Sequence, residues 1–302
     1  MLAPHFDLNS IDAYQQWREK KLAAYPLTLA QHQIDIIDIE HPSAIEIAQI
    51  QHSCQGINMA FYRFSATDKN EKKLIYQLGK QLGLENLDNN LCADKDHLTS
   101  LKVTQHKGQH DYIPYTDKRL SWHSDGYYNA ENKQINGMLL HCVVPAMQGG
   151  ESLLMDHEIL YILLRDQNPA WIKALMQKDV LTIPANIRQQ QLIRPARTGP
   201  VFSFLPTGKL HMRYSARLKN IEWQQDIDTQ AALQFIQTFW QQKNSQYILR
   251  YTLKAGEGLI CNNVLHRRTA FTDSNNPSKK RLLYRGRYYD RLAENPSFEQ
   301  AV

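Results

Sequence analysis

The four cysteines of this 302-residue chain, Cys54, Cys92, Cys142 and Cys261, stand far apart and form no CxxC pair. That spacing excludes a zinc ribbon and a disulfide scaffold, and it fits a reducing compartment. No apolar run approaches the ~18 residues of a membrane-spanning helix. The longest candidate, Met138 to Met147, is interrupted by His141 and Pro145. Residues Met1 to Gln16 hold no basic segment followed by an apolar one, so no secretory leader is expected and the protein reads as cytoplasmic. An excess of one charge is missing as well. The balance of 35 basic and 30 acidic side chains leaves +5, scattered in doublets such as Lys20-Lys21 and Arg267-Arg268. This falls short of a nucleic-acid footprint. A small-molecule partner is expected, with neither nucleic acid nor membrane, and a homo-oligomer stays open. Internal repeats, low-complexity tracts and Gly/Ser linkers are absent too, so nothing marks an internal boundary and one domain is expected over 1–302.

Hydrophobic residues make up 42% and charged residues 22% of the chain, which suits a globular protein and not a disordered one. A chain of this length buries about three quarters of its unfolded surface without staples. Ile34, Ile36 and Ile37 alternate with polar residues and predict a strand within 31–40. Leu74, Ile75, Leu78 and Leu82 recur at helical spacing and predict a helix over 71–83. Asn168-Pro169 predicts an N-cap with proline at the first helical position, opening a helix through Met176. Asp228 is expected to cap another, whose stripe is Leu233, Ile236, Phe239 and Trp240. Strand-like runs cover 138–144, 180–183, 201–205, 247–253, 259–261 and 282–289, two of them set off by turns at 206–208 and 255–258. Many short strands without βαβ alternation predict an α+β, mainly β fold. It would be a sandwich or jelly roll with packed helices, with an α/β portion at 1–100 and the core at 101–292.

GxSxG, P-loop and GxGxxG signatures are all missing. Metal-binding residue types are present. Residues 121–126 read Ser-Trp-His-Ser-Asp-Gly, and on a strand His123 and Asp125 project from one face. A third donor must come from elsewhere, and His266 follows the apolar run that opens LICNNVLHRRTAF. Two histidines and one carboxylate leave three positions of a metal open, the geometry of non-haem Fe(II) oxygenases. His5-Phe6-Asp7 repeats the HxD spacing in a setting with no strand before it. Downstream, Arg281 and Arg285 are spaced so that both guanidiniums share a strand face, and arginine grips carboxylates bidentately. Trp122, Tyr127 and Tyr128 flank the HxD motif as pocket or core residues. His141, His157 and His211 read as structural histidines. Of Arg267 and Arg268, at least one is expected to face solvent.

Four pieces in order (WHSD, GGES at Gly149–Ser152, LHRRTAF and RxxxR) resemble the taurine/dichlorophenoxyacetate dioxygenase (TauD/TfdA) family over about 55–290. The resemblance implies a double-stranded β-helix, or jelly roll, holding Fe(II), with 2-oxoglutarate and O2 as cosubstrates. It implies iron ligands at His123, Asp125 and His266, and Arg281 on the distal carboxylate of 2-oxoglutarate with help from Ser152. It also implies Arg285 on the substrate. Tyr115-Thr116, Leu139–Cys142 and LHRRTAF are further similar to the γ-butyrobetaine and trimethyllysine hydroxylases, in which the residue matching Tyr115 lines a cage for a cationic group. The cysteine-bearing zinc module of those enzymes is missing. Cys261-Asn262 stands where the family has Asp-Asn, with one residue fewer before the distal histidine, which bears on how His266 is supported. A ligating carboxylate at Asp125 implies hydroxylation or desaturation and not halogenation. The substrate expected is a small charged or zwitterionic metabolite. The competing readings are an oxygenase of a protein or RNA, and a non-catalytic jelly-roll binding protein.

Overall fold

Helices and short strands succeed one another along the chain with no fixed period. In a computed structural model, residues 2–25, 32–65, 71–89, 94, 96, 98–104, 112–217, 219–242 and 244–292 are described; Cys92 lies outside them. The elements run α1 (Ile11–Ala24), β1 (Gln33–Asp35), α2 (Ala44–Ile57), β2 (Met59–Arg63), α3 (Glu71–Gln81), β3 (Thr99–Leu101), β4 (Leu120–His123), β5 (Gly137–Val144), β6 (Gln148–Gly149), β7 (Ser152–Met155), α4 (His157–Gln167) and α5 (Pro169–Leu175). They continue with β8 (Leu181–Ile183), β9 (Asn186–Arg188), β10 (Gln191–Arg194), β11 (Arg197–Gly199), β12 (Phe202–Phe204), β13 (Leu210–Met212), β14 (Glu222–Trp223), α6 (Ile227–Gln241), β15 (Leu249–Tyr251), β16 (Glu257–Cys261), β17 (Leu265–Arg268), β18 (Phe271–Thr272) and β19 (Leu282–Tyr288). Contacts divide the chain into two compact units. The first comprises Met1–Tyr25, Ser121–Gln134 and Met155–Ile248, and the second Pro26–Leu120, Ile135–Leu154 and Leu249–Val302.

The second unit is built on a six-stranded sheet in the order β1-β2-β16-β5-β19-β3. Strand β1 runs parallel to β2, and the other pairings are antiparallel. Alternation sorts its side chains to two faces. Ala60, Tyr62, Leu139, Ile260 and Tyr288 pack with Ile50 and Cys54 of α2 and Ile75 and Leu78 of α3. Leu101, Cys142 and Leu283 pack on the opposite face with Tyr115 and Leu253. Register sets Leu283 opposite Cys142 and Arg285 opposite Leu140. Two residues apart on one strand, Arg285 therefore shares a face with Leu283. Helix α2 opens on a capping box, in which Ser43 and Glu46 satisfy each other's backbone N–H groups.

In the first unit, helices α1, α4, α5 and α6 accompany the three-stranded sheet β11-β8-β14 and the hairpins β9–β10 and β12–β13. The buried Lys21 ammonium of α1 lies 2.6 Å from Asp156 and 2.5 Å from Glu158. Burial alone would lower its pKa, but the two carboxylates outweigh that and hold it above the ordinary value. Asn168 caps α5 as expected, accepting from the Ala170 N–H at 2.9 Å. For α6 the expectation was two residues late: Asp226 is the cap, accepting from Thr229 N–H, and Asp228 sits in the first turn. No helix among the described residues is long and apolar enough to cross a membrane.

Close approach of backbone and ring explains one glycine. Gly258 lies opposite Tyr62 across the β16–β2 pair, and a Cβ there would overlap the Tyr62 ring. That ring stacks on His141 at 5.8 Å and cannot swing aside without disturbing it. Gly258→Ala is expected to lower stability by about 1–3 kcal/mol, read as a fall in Tm with unchanged secondary structure.

Candidate metal centre and cosubstrate site

Strand β4 ends at His123, and its backbone bridges to Ser215. Asp125 thus comes from the turn beyond the strand and not from its continuation. Ser124 makes that turn rigid: its N–H donates to the Tyr214 carbonyl at 3.0 Å, and its hydroxyl accepts from the Tyr214 N–H at 3.1 Å. Gly126 follows at φ 69°, a left-handed conformation that glycine adopts without steric cost. The Nδ1 of His123 lies 2.9 Å from the carbonyl oxygen of Ser121, two residues back. A carbonyl only accepts, so Nδ1 carries a proton and Nε2 is the nitrogen left for a metal. That Nε2 is 3.5 Å from the Asp125 carboxylate, and both residues are buried.

His266 repeats the device in the second unit. Its Nδ1 lies 2.9 Å from the carbonyl of Val264, again two residues back, so the chain itself supplies the support that the Cys261 substitution put in question. The turn into β17 is pinned by two asparagines. Asn262 donates to the Asn58 side chain at 3.1 Å and accepts from Leu292 N–H at 3.0 Å. Asn263, at φ 49°, donates to the Ile135 carbonyl at 2.7 Å. Cys261 is fully buried and lies next to Asn262 in the chain. One ligand atom from each of His123, Asp125 and His266 lies within 4.8 Å of the other two, the single such grouping found among the described residues. Two imidazoles and a carboxylate suit Fe(II). The competing HxD is otherwise engaged: His5 stacks on Trp17 at 4.7 Å, and Asp7 accepts from Asn9 N–H and Ser10.

Arg281 precedes β19 and is only 6% exposed. Its backbone N–H donates to Asp273 at 2.7 Å, and its guanidinium lies 4.8 Å over the Phe271 ring. Burial lowers its pKa against the raising fields of Cys142 and Asp273. Gly149 and Gly150, both at positive φ, bring backbone close to Phe271, and Gly150 is also near the Arg281 guanidinium. Ser152, half-buried, opens β7 opposite Tyr251. Arg285 and Tyr115 are buried, Tyr115 in the cluster that holds Leu283. In the first unit Trp122 is buried and stacks on Trp240 of α6 at 4.3 Å. Tyr127 is half-buried and meets the His123 ring edge-on at 6.3 Å.

Arg268 is the residue that pattern reading missed. Arg267 is half-exposed, whereas Arg268 is buried and donates to the carbonyls of Thr116 and Lys118 at 2.8 and 2.6 Å. It lies 4.7 Å over the same Phe271 ring as Arg281. Burial pushes its pKa down to about 9, the charge of Arg281 adds to that, and Asp117 opposes it. Two residues beyond His266, it thereby grips the stretch that leads into β4. No repeat or spacing signalled this, because its acceptors are backbone atoms. Arg268→Ala is expected to cost about 2 kcal/mol of unfolding free energy through orphaned carbonyls, read by chemical denaturation.

The taurine catabolism dioxygenase TauD, TfdA family matches residues 25–287. A uridine-5'-phosphate dioxygenase from Streptomyces is 30% identical over 203 residues, covering 65% of this chain and 70% of that protein. Among solved structures, an asparagine oxygenase in complex with Fe(II), 2S,3S-3-hydroxyasparagine and succinate aligns with a TM-score of 0.55 at 16% identity, over 92% of each chain. A taurine dioxygenase from Burkholderia xenovorans aligns with a TM-score of 0.54 at 17% identity, over 83% of this chain and 84% of that one. Taken with a donor set that suits Fe(II), the match over residues 25–287 settles the class: this chain belongs to the TauD/TfdA family and is a non-haem iron dioxygenase that uses Fe(II), 2-oxoglutarate and O2.

Proposed function

We propose that His123, Asp125 and His266 hold the iron, that Arg281 with Ser152 binds the distal carboxylate of 2-oxoglutarate, and that the enzyme hydroxylates or desaturates an unactivated C–H bond of a small anionic or zwitterionic metabolite. The observation that carries this reading is the clustering of the three donor atoms within 4.8 Å in a chain that also buries Arg281. A jelly-roll core over 101–292 fits the short antiparallel strands and is part of the proposal. When bound, Fe(II), 2-oxoglutarate and O2 supply the oxidising power for C–H cleavage, with succinate and CO2 as coproducts.

The protein's own groups divide the work. The carbonyls of Ser121 and Val264 each accept from Nδ1 of an imidazole, so each ring presents Nε2 as its ligand atom. Asp125 adds one negative charge and fills the third protein position. Arg281, already desolvated, pairs with a carboxylate at little further cost in lost hydration. Arg285 would hold an anionic group of the substrate. Its buried position on the Leu283 face supports this, and so does a curated relative named for a phosphate ester. Tyr115 would meet a cationic portion, and Tyr127 and Trp122, which flank the HxD motif, are the further aromatic candidates for substrate contact.

Calorimetric titration of the apo protein with Mn(II) tests the ligand set. Alanine at His123, Asp125 or His266 should abolish stoichiometric binding with the fold intact, and His5→Ala should bind as wild type. Wild-type affinity in His266→Ala overturns the assignment. Truncating an arginine that pairs with a buried carboxylate costs roughly 2–5 kcal/mol. Arg281→Ala should therefore weaken anaerobic 2-oxoglutarate binding by at least about tenfold, one decade per ~1.4 kcal/mol. Arg285→Ala should hold that affinity within a few-fold and instead uncouple 2-oxoglutarate consumption from product formation. The reverse pattern would mean that the two arginines exchange roles. A metabolite screen reading succinate above the substrate-free background identifies the substrate.

A further inference from the structure

Four readily oxidised rings form a continuous series in the first unit. Trp122, one peptide unit from His123, stacks on Trp240 with centroids 4.3 Å apart and planes 20° from parallel. The Trp240 ring lies 6.4 Å from Tyr214, and its Nε1–H donates to the Tyr214 hydroxyl at 3.2 Å. Tyr214 lies 6.3 Å from Trp223. Trp122 and Tyr214 are buried, and the series ends at Trp223, which lines an open groove with Gln225, Gln230 and Gln234. Each neighbouring pair is thus in or near van der Waals contact, where one-electron exchange between aromatic rings is fast. Phenylalanine or leucine would fill the same space, yet every member here is tryptophan or tyrosine.

We propose that this series is an electron relay that protects the iron site when 2-oxoglutarate is consumed without substrate. In that event O2 converts 2-oxoglutarate to succinate and CO2, and the oxidising power of one oxygen atom is left at the centre. Two electrons and two protons turn it into water. Each electron is drawn from Trp122, which is refilled from Trp240, which is refilled from Trp223. Among the described residues no protein group accepts the phenolic proton of Tyr214, so that ring bridges Trp240 and Trp223 without stopping the charge. The protons come from solvent. Oxidised Trp223 is reduced at the groove by a soluble one-electron donor such as ascorbate. With no donor it gives up both electrons in turn, and the oxidised indole adds water and releases two protons, leaving a hydroxylated side chain.

The test loads the protein with Fe(II) and supplies 2-oxoglutarate and O2 without substrate or ascorbate. Peptide mass spectrometry then measures oxygenation at all five tryptophans after equal succinate formation. Trp17 and Trp171, outside the series, are internal references. The relay requires oxygenation concentrated at Trp223 and suppressed by ascorbate. Trp240→Phe keeps the stack but removes the oxidisable ring, so damage at Trp223 should fall severalfold and damage at Trp122 should rise. Should that variant not fold, Trp223→Phe serves in its place and should move the damage inward to Trp240. Oxygenation of Trp223 no greater than of Trp171, or a Trp122 to Trp223 ratio unchanged in Trp240→Phe, overturns the relay. So does unchanged damage at Trp240 in Trp223→Phe.

Discussion

An imidazole offers a metal one lone pair, and everything at this site depends on which nitrogen holds it. In both candidate ligands the choice is made locally, by a carbonyl two residues earlier in the same chain. That economy needs no carboxylate partner and no distant residue, and it tolerates a cysteine at 261. It makes strict demands on the backbone instead. Ser121 must sit at the right pitch on β4, and the turn before β17 must be held, which is the task of Asn262 and Asn263. The donors are thus aimed before any metal arrives, and little reorganisation is left to oppose binding.

The second constraint is electrostatic. Around Phe271, two guanidiniums lie within 5 Å of one ring and are both desolvated. They repel each other, and the opposing fields of Asp117 and Asp273 do not restore their ordinary pKa values. Such a corner favours a dianion. It costs stability in the apo protein and recovers it on binding, a common exchange at functional sites. The division of labour between the arginines follows from their bonds: Arg268 spends donors on backbone carbonyls, and it is the buried Arg281 that the proposal assigns to the cosubstrate.

Legibility in the sequence followed the range of the interaction. The HxD motif, LHRRTAF and the RxxxR pair are short strings whose residue types carry their chemistry, and they could be read. The helices 71–83 and 168–176 were legible because a 3.6-residue stripe or an Asn-Pro cap is a local signal. Helix α2 was missed although Ser43 and Glu46 have the capping-box spacing, because its stripe mixes glutamines with isoleucines. In α4 nearly every position is buried, so no single apolar stripe stands out. The cap of α6 was misassigned by two residues because two aspartates compete and only side-chain geometry separates them. Arg268 was beyond sequence reading altogether, since long-range donation to main-chain carbonyls leaves no mark on spacing.

The order of strands in the large sheet differs from their order in the chain. Strand β16 is inserted between β2 and β5, and β19 lies between β5 and β3. As the polypeptide emerges from a ribosome, β2 and β5 are made long before the strands that will fill the gaps beside them. Their backbone edges stay exposed through the synthesis of more than a hundred further residues. Unpaired edges of apolar strands invite wrong pairing, and pairings so distant in sequence form slowly. A nascent chain of this design depends on being shielded until β16 and β19 arrive. Overproduction that outpaces such shielding would yield insoluble protein, even though the finished fold is sound.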